Sequence, residues 1–137
     1  MKLGINILEY LDRIPYGSGI NLNIEDLTIP KNIKIIEFYA FYENPYIKII
    51  NCEKNSKLEK IADHSIDKNE NLQKIYLPIS LKEIKNNFYS CPKLKDIFYE
   101  GTIEDWENIL KNDYNFAHIG VKIHCLDGII DYGEEVY

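Results

Sequence analysis

The sequence has no surplus of positive charge. Its 137 residues include 16 Lys and Arg against 22 Asp and Glu, which gives a net charge of −6. Proteins that bind DNA or RNA directly normally carry a basic surface, so this composition argues against direct nucleic-acid binding. An acidic protein is better suited to a basic partner, including one that itself holds nucleic acid.

Long apolar runs are missing as well. No stretch of about eighteen apolar residues, the length needed to cross a membrane, occurs in the chain. Glu9, Asp12 and Arg13 interrupt the N-terminal segment, which therefore lacks the apolar core of a signal peptide. The cysteines are odd in number and far apart in the sequence: Cys52, Cys91 and Cys125. We expect reduced thiols, a cytoplasmic location and no membrane association.

Patterns typical of catalysis or of cofactor binding are also absent. Asp63-His64-Ser65 contains the residue types of a hydrolase triad, but three adjacent residues cannot converge on one reacting atom. His64, His118 and His124 lack the spacing of metal ligands and have no cysteine motif beside them. No glycine-rich loop leads from a strand into a helix. The sequence therefore predicts a protein that is not an enzyme and has no catalytic residues, no metal and no cofactor.

What the sequence does contain is a repeat. The stretches DLTIPKNIKIIEFYAFYEN (26–44) and KIYLPISLKEIKNNFYSC (74–91) follow one pattern. An apolar triplet opens each unit, with first members 23, 25 and 22 residues apart: Ile24, Leu27, Ile29; Ile47, Ile50, Cys52; Leu72, Ile75, Leu77; Leu94, Ile97, Tyr99. The second half recurs as Ile36 with Phe41, Ile61 with Ile66, and Ile84 with Phe88, and the units close at Asn44, Asn69 and Cys91.

Each unit fits one coil of a solenoid. Alternate apolar residues place their side chains on one face of a short strand, and Pro30 and Pro78 mark turns because proline cannot donate to a strand ladder. The return leg supplies the isoleucine and the aromatic from the opposite side. One coil cannot bury its own apolar face, so neighbouring coils must stack into a continuous core. We expect Asn44 and Asn69 to satisfy backbone groups at the coil corners.

This pattern resembles the BspA-type leucine-rich-repeat family, whose units read roughly L-x-x-I-x-I-P and then I-x-x-x-A-F-x-N/C. Residues 24–44 match best, through Ile29-Pro30, Ile36, Ala40-Phe41 and Asn44. The second unit departs, with Cys52-Glu53 for Ile-Pro and Ser65-Ile66 for Ala-Phe, and the third lacks one residue before Phe88. The segment KLKDIFYEGTIEDWENIL, followed by VKIHCLDG, is similar to the family's closing segment, with its Gly-Thr turn and central Trp.

The predicted fold is an α+β solenoid: a short leucine-rich-repeat array with stacked short strands on one face and a cap at each end. Residues 1–137 form a single domain, divided into an N-terminal cap (1–20), repeats (21–99), a C-terminal cap (100–128) and a frayed acidic tail (129–137). Helical spacing from Asn6 to Ile14 predicts a first capping helix that ends at Pro15 and Gly17.

The C-terminal cap is predicted in more detail. Thr102 begins a helix, with Glu104 and Asp105 in its first turn. Three residues are expected to cover the last coil: Trp106, Ile109 and Leu110. Val121, Ile123 and Cys125 alternate as a closing strand, and Asp127-Gly128 signals a turn.

The strand residues whose side chains point outward suggest a binding face. If Leu27 and Ile29 point inward, one outward column consists of Thr28, Asn51, Tyr76, Phe98 and His124, and its neighbour consists of Asp26, Ile49, Lys74, Asp96 and Lys122. Exposed aromatics rimmed by charge are typical of binding hot spots. The predicted partner-binding residues are Ile49, Asn51, Lys74, Tyr76, Asp96 and Phe98. The alternatives are that a loop or the tail covers these side chains, or that they are cross-strand pairs that only stabilise the sheet.

Two functions remain open at this point. The first is a non-enzymatic protein-interaction module that presents a rigid strand face to a protein partner of unknown identity. The second is a small acidic inhibitor encoded by a phage or mobile element, similar in action to an anti-CRISPR protein, which blocks a host defence nuclease or another nucleic-acid-binding protein. The same apolar face also permits a homodimer about a two-fold axis.

Overall fold

Short strands with an apolar residue at every second position form the larger of two sheets. The structure is a computed structural model and describes residues 11–19 and 22–133. Five strands of the larger sheet run parallel in chain order: β2 (Asp26–Ile29), β4 (Ile49–Cys52), β6 (Lys74–Leu77), β8 (Asp96–Tyr99) and β10 (Lys122–Cys125). Their second residues, Leu27, Ile50, Ile75, Ile97 and Ile123, are all buried, as the predicted alternation requires.

A second sheet lies on the return leg of each coil. Its strands have two residues each and are also parallel: β1 (Arg13–Ile14), β3 (Ile35–Ile36), β5 (Lys60–Ile61), β7 (Glu83–Ile84) and β9 (Leu110–Lys111). Ile14, Ile36, Ile61 and Ile84 are in register and buried. The two sheets and the turns between them make a β-solenoid of about five turns, with the core between the sheets. Burying each of these side chains contributes about 1.5–3 kcal/mol.

Polar side chains close the coil corners. Asn44 donates through Nδ2 to the carbonyls of Gly19 and Phe41, each at 2.8 Å, and its Oδ1 accepts from the Leu22 N–H at 2.7 Å. Asn69, one coil later, donates to Phe41 O at 2.9 Å and to Ile66 O at 2.5 Å. Both asparagines are fully buried. The prediction that they satisfy backbone groups at the corners is confirmed.

The third corner carries Cys91 in place of asparagine. Its Sγ donates to Ile66 O at 3.3 Å, and the side chain is fully buried. A thiol has one weak donor where an amide has two strong donors. At this corner one side-chain hydrogen bond to the backbone is therefore kept, and the Cys91 side chain otherwise packs as a small apolar group.

Two short helices follow the last complete coil: α1 (Ile103–Glu107) and α2 (Tyr114–Ala117). Thr102 begins α1, as predicted, and forms a capping box: its hydroxyl accepts from the Asp105 N–H at 3.1 Å while Asp105 Oδ2 accepts from the Thr102 N–H at 2.9 Å. Trp106 and Ile109 are buried against the core. Trp106 makes an edge-to-face contact with Tyr99, with centroids 5.4 Å apart.

The predicted inward position of Leu110 is wrong, since this side chain is 67% exposed. Strand β9 pairs with β7 in the register Glu83↔Leu110 and Ile84↔Lys111, which places Lys111 on the inward side. The Lys111 ammonium donates to the carbonyls of Trp106 at 2.7 Å and Ile109 at 3.3 Å, so it bonds carbonyls at the end of α1. Burial lowers the pKa of Lys111. Its aliphatic stem takes the place of the isoleucine found in earlier coils.

The prediction of a frayed tail from residue 129 is wrong for its first three residues. Strand β11 (Gly128–Asp131) pairs antiparallel with β10, and the turn between them is Leu126–Asp127, next to the predicted Asp127-Gly128. A two-residue turn closes a tight hairpin, and Ile130 packs against the core opposite Ile123. Residues 134–137 of the predicted tail lie outside the described residues.

The predicted N-terminal helix falls mainly outside the described residues, which begin at Leu11. At its described end, Arg13–Ile14 forms strand β1, paired with β3, instead of the last turn of a helix. Ile14 is buried at the position that Ile36 occupies one coil later, so the inward isoleucine is explained by the solenoid period and not by helical spacing. None of the helices in the described part of the chain has the length and apolarity needed to span a membrane.

Candidate functional site

The outward face of the larger sheet is built as two columns of side chains. The ladders pair Asp26 with Ile49, Ile49 with Lys74, Lys74 with Asp96, and Asp96 with Lys122. The second column is paired in the same way at Thr28 and Asn51, Tyr76 and Phe98, and Phe98 and His124. The predicted registers are confirmed for these pairs, because parallel strands of similar length stack equivalent positions one above the other. Between β4 and β6 the ladder ends at Ile50 and Ile75, so Asn51 and Tyr76 are not a ladder pair.

Three aromatic rings of the second column stack face to face. Tyr76 and Phe98 have ring centroids 4.8 Å apart at an interplanar angle of 14°, and Phe98 and His124 are 4.5 Å apart at 13°. These distances match the spacing between neighbouring strands, about 4.8 Å. We call Tyr76, Phe98 and His124 the ring column. Tyr76, at one end of it, is 38% exposed.

Charged side chains flank the ring column. His124 Nε2 lies 2.8 Å from Asp96 Oδ1, which holds the imidazole flat against the ring of Phe98. In the neighbouring column, one strand beyond Asp96, Lys122 Nζ lies 3.9 Å from Asp131 Oδ2. Both pairs are at the surface, so each contributes at most about 1 kcal/mol to stability.

A cleft of about 270 Å³ opens where strands β4, β6 and β8 end. Its lining includes Asn51, Glu53, Lys54, Tyr76, Phe98 and Glu100. Cys52 lies in the same wall, and burial raises the pKa of its thiol to about 12. The thiol therefore stays protonated at neutral pH, which makes it a poor nucleophile. Aromatic rings, two carboxylates, one ammonium and one amide are therefore among the groups that line this cleft.

All six residues predicted for partner binding lie on the outward face of the larger sheet. Asn51 and Tyr76 are exposed, and Ile49, Lys74, Asp96 and Phe98 are half-buried. The structure brings Tyr76 and Phe98 into contact and places Lys74 opposite Asp96. Their role in binding remains a prediction.

Two further residues extend this face. His124 was placed in the column by the repeat but was not among the predicted binding residues, although its ring completes the stack. Ile129, assigned to the frayed tail, pairs with His124 across the β10–β11 hairpin and is 57% exposed. Directly paired residues lie on the same side of a sheet, so Ile129 adds an apolar side chain to the column. The β-branched pair Ile129-Ile130 directly after a turn signal is the sequence pattern that could have indicated this strand.

A second aromatic region lies beyond the return strands and was missed in the sequence. We call Tyr16, Phe38, Tyr39, Tyr42 and His64 the corner cluster. Tyr39 is its centre, with ring centroids 4.2 Å from Phe38, 4.6 Å from Tyr42 and 5.7 Å from His64. Tyr39 and His64 both have positive φ angles, 57° and 56°, in the left-handed region. Such angles are uncommon for residues other than glycine, and no sequence pattern indicates them.

Asp63, His64 and Ser65 do not converge on one point. Ser65 is buried and its Oγ donates to Asn87 Oδ1 at 3.2 Å, whereas His64 Nδ1 lies 2.6 Å from Asp67 Oδ2. The His64 ring contacts Tyr39 and Phe38. Within residues 11–19 and 22–133, no three His, Cys, Asp or Glu side chains are grouped as metal ligands.

Comparison with known families gives one finding. A model described as BspA type leucine rich repeat region matches residues 13–124, with six copies of the repeat. Neither a curated protein nor a solved structure matches the chain.

Proposed function

The chain belongs to the BspA-type leucine-rich-repeat family, and we propose that it is a non-enzymatic module that binds another protein through the outward face of its larger sheet. A leucine-rich-repeat solenoid fits a protein-interaction role. The observation that carries the proposal is the ring column, in which three stacked aromatic rings lie on a strand face. Aromatic anchors in such positions dominate the energetics of protein interfaces.

The rigidity of the face supports the same proposal. Strands β4, β6, β8 and β10 each have a paired strand on both sides, and the backbone of this sheet is held by the ladders. A surface that is already ordered loses little conformational entropy when a partner binds. Rings that stack on one another are likewise fixed before binding.

Cross-strand stabilisation alone explains the face less well. Stacking accounts for the contact between Tyr76 and Phe98, but Ile129 is 57% exposed at the end of the same column. Strand β11 extends the face beside β10 and does not cover Tyr76, which is 38% exposed. Exposed apolar side chains that continue over neighbouring strands are typical of a surface that a partner protein covers.

The inhibitor alternative predicts a continuous acidic surface that imitates nucleic acid. Three glutamates are instead paired with lysines from adjacent coils: Glu25 with Lys48, Glu59 with Lys82, and Glu83 with Lys60. Alternating charges produce a weak long-range field, so this pattern offers no support for a nucleic-acid mimic.

The experiment is capture of a partner from lysate of the source cell, followed by measurement of its affinity for purified variants. Tyr76→Ala/Phe98→Ala should weaken binding by about 100-fold, since loss of hot-spot side chains costs 2 kcal/mol or more. The matched control is Tyr46→Ala/Tyr114→Ala, which removes two exposed tyrosines at 55% and 59% exposure from other surfaces. This control should bind as the wild type does.

Salt dependence separates the two functions. Binding through the ring column should change little between 50 and 300 mM salt, whereas an inhibitor of a basic enzyme should lose most of its affinity because screening weakens long-range attraction. If the double variant binds normally and the affinity falls steeply with salt, the strand-face proposal is wrong.

A further inference from the structure

The ring column stops at Tyr76 although the sheet continues. Strand β4 lies beside β6, and its residue in the same column is Asn51, which is exposed and has no ring. The rings of Tyr76, Phe98 and His124 follow one another at 4.8 and 4.5 Å. The ladder between β4 and β6 ends at Ile50 and Ile75, so Tyr76 has no paired ring on the β4 side. We call the space beside this face of the Tyr76 ring, next to Asn51, the gap.

This gap belongs to the cleft of about 270 Å³. Two carboxylates, of Glu53 and Glu100, and one ammonium, of Lys54, line the same cleft. Negative charge is therefore in excess beside an exposed aromatic face. That combination favours a cation, because both the carboxylates and the electron-rich face of an aromatic ring attract positive charge.

The two carboxylates are held in equivalent ways. Glu53 Oε1 accepts from the Lys31 N–H at 3.1 Å, and Glu100 Oε1 accepts from the Ile79 N–H at 3.2 Å. Among the described residues, neither glutamate takes part in an ion pair, in contrast to Glu25, Glu37, Glu59 and Glu83. Both carboxylates are thus positioned by the backbone while their charge is not neutralised by a lysine of the chain.

We propose that the cleft binds an arginine side chain of the partner protein, with the guanidinium stacked on Tyr76 above Asn51 and bonded to Glu53 or Glu100. This inference rests on the proposed binding role of the strand face and names the chemistry that the partner must present there. Guanidinium is planar, so it continues the stack, and its several N–H donors match a carboxylate.

Other occupants fit the cleft less well. A lysine ammonium has the required charge but is not planar, so it cannot act as the fourth layer of the stack. A neutral aromatic ring would fill the gap but leave the two carboxylates without a positive charge beside them. A second copy of this chain has a single arginine, Arg13, which lies in the opposite sheet and is paired with Glu37 at 3.0 Å.

The test is an NMR titration of the ¹⁵N-labelled protein with acetyl-Gly-Arg-Gly-amide. Two matched peptides replace arginine by citrulline, which has nearly the same shape without charge, or by lysine, which has the charge without the plane. We expect a dissociation constant of about 1–10 mM for the arginine peptide, because only one side chain binds. Chemical-shift changes should be centred on Asn51, Tyr76 and Glu100. The lysine peptide should bind at least about 3-fold more weakly, and citrulline should cause no shifts at these residues.

Variants of the protein should change the affinity in both directions. Glu53→Gln/Glu100→Gln should weaken binding of the arginine peptide by about 10-fold, and Lys54→Gln should strengthen it by about 2-fold, because each changes the charge beside the guanidinium. Asn51→Phe should abolish binding by placing a ring in the gap. Shifts of residues in the smaller sheet report whether each variant is folded.

Equal binding of the arginine and lysine peptides, or arginine binding that survives Asn51→Phe in a folded protein, would overturn the proposal. The absence of any shift would also overturn it. These failures are distinct from failure of the strand-face function, which is judged by whether the captured partner is lost with Tyr76→Ala/Phe98→Ala.

Discussion

The ring column and the corner cluster are both groups of aromatic side chains at the surface, but they are built differently. In the ring column each ring comes from the same position of successive strands, and the planes are nearly parallel, at 13° and 14°. In the corner cluster Tyr39 meets Phe38 at 83° and Tyr42 at 80°, in edge-to-face contacts within one coil. The column is a product of the repeat, whereas the cluster groups rings of one coil around Tyr39 and adds Tyr16 and His64 from the adjacent coils.

This difference suggests different roles. Rings in the cluster contact one another, mostly edge to face, and such ring contacts are worth about 0.5–1.5 kcal/mol each beyond the area they bury. The column ends in an exposed ring beside an open cleft with carboxylates that lack an ion pair. We therefore expect the cluster to stabilise the coil corners and the column to bind a partner, and the predictions below are ordered by the size of the expected effect.

The largest effect is expected from Tyr39→Asn. Asparagine tolerates the left-handed φ of 57° at this position, so the substitution removes the ring without adding backbone strain. Loss of contacts to four rings should lower the free energy of unfolding by about 3 kcal/mol, with no effect on partner binding. Urea unfolding followed by circular dichroism measures it.

The control for this prediction is Tyr46→Asn, since Tyr46 is 55% exposed and should contribute less than about 0.5 kcal/mol. If Tyr39→Asn costs no more than the control, the cluster does not stabilise the fold. It would then become a second candidate for partner binding.

A smaller loss of stability is expected from Tyr76→Ala/Phe98→Ala. Two stacked pairs on an open sheet face contribute about 0.2–1 kcal/mol each, so the double variant should lose about 1.5 kcal/mol. The same urea experiment applies. A loss above 3 kcal/mol would show that the column is primarily structural and would remove the contrast with the cluster.

At the end of the column, His124→Ala should cost about 1 kcal/mol because it removes both the stacking on Phe98 and the bond to Asp96. His124→Phe keeps the ring and loses only the surface bond, so its stability should lie within about 0.5 kcal/mol of the wild type. Thermal unfolding of both variants compares the two contributions. Equal losses would mean that the Asp96 contact, not the stacking, holds this ring in place.

The smallest effect concerns Lys68, whose ammonium lies 5.5 Å from the centroid of the Tyr42 ring at the edge of the corner cluster. A hydrogen bond to Tyr42 and the nearby negative charge of Glu43 raise the pKa of Lys68 above its ordinary value of 10.5. A raised pKa in the folded state means that this contribution is complete below pH 10.5 and is lost as the pH rises through the folded value.

The stability difference between wild type and Lys68→Met should therefore shrink when unfolding is measured from pH 9 to pH 12. Lys68→Arg, which keeps its charge over this range, should not show the same decline. An unchanged difference for Lys68→Met across the range would mean that the ammonium does not interact with the cluster.

Much of the solenoid could be predicted because the repeated residues recur in the sequence at nearly constant spacing. Alternation at Leu27 and Ile29, repeated one coil later at Ile50, was enough to predict which side chains face inward and which form the two outward columns. The strands of the smaller sheet were not predicted, since two residues such as Ile35–Ile36 are too few to show a period. Hydrophobicity alone indicated that Leu110 faces inward, whereas the register of β9 places Lys111 there.

The sequence by itself determined the stacking of equivalent positions, and thereby the order of Asn51, Tyr76, Phe98 and His124 along one column. Only the tertiary structure decided that the rings lie flat on one another, that β11 adds Ile129 to their column, and that a gap beside two carboxylates remains above Asn51. The physical reason is that repeat spacing is a local property of the chain. Ring orientation and the left-handed corners depend on contacts between residues of neighbouring coils, about 20 or more positions apart. The β10–β11 hairpin is a local pairing, but it breaks the repeat, so a periodic pattern does not encode it either.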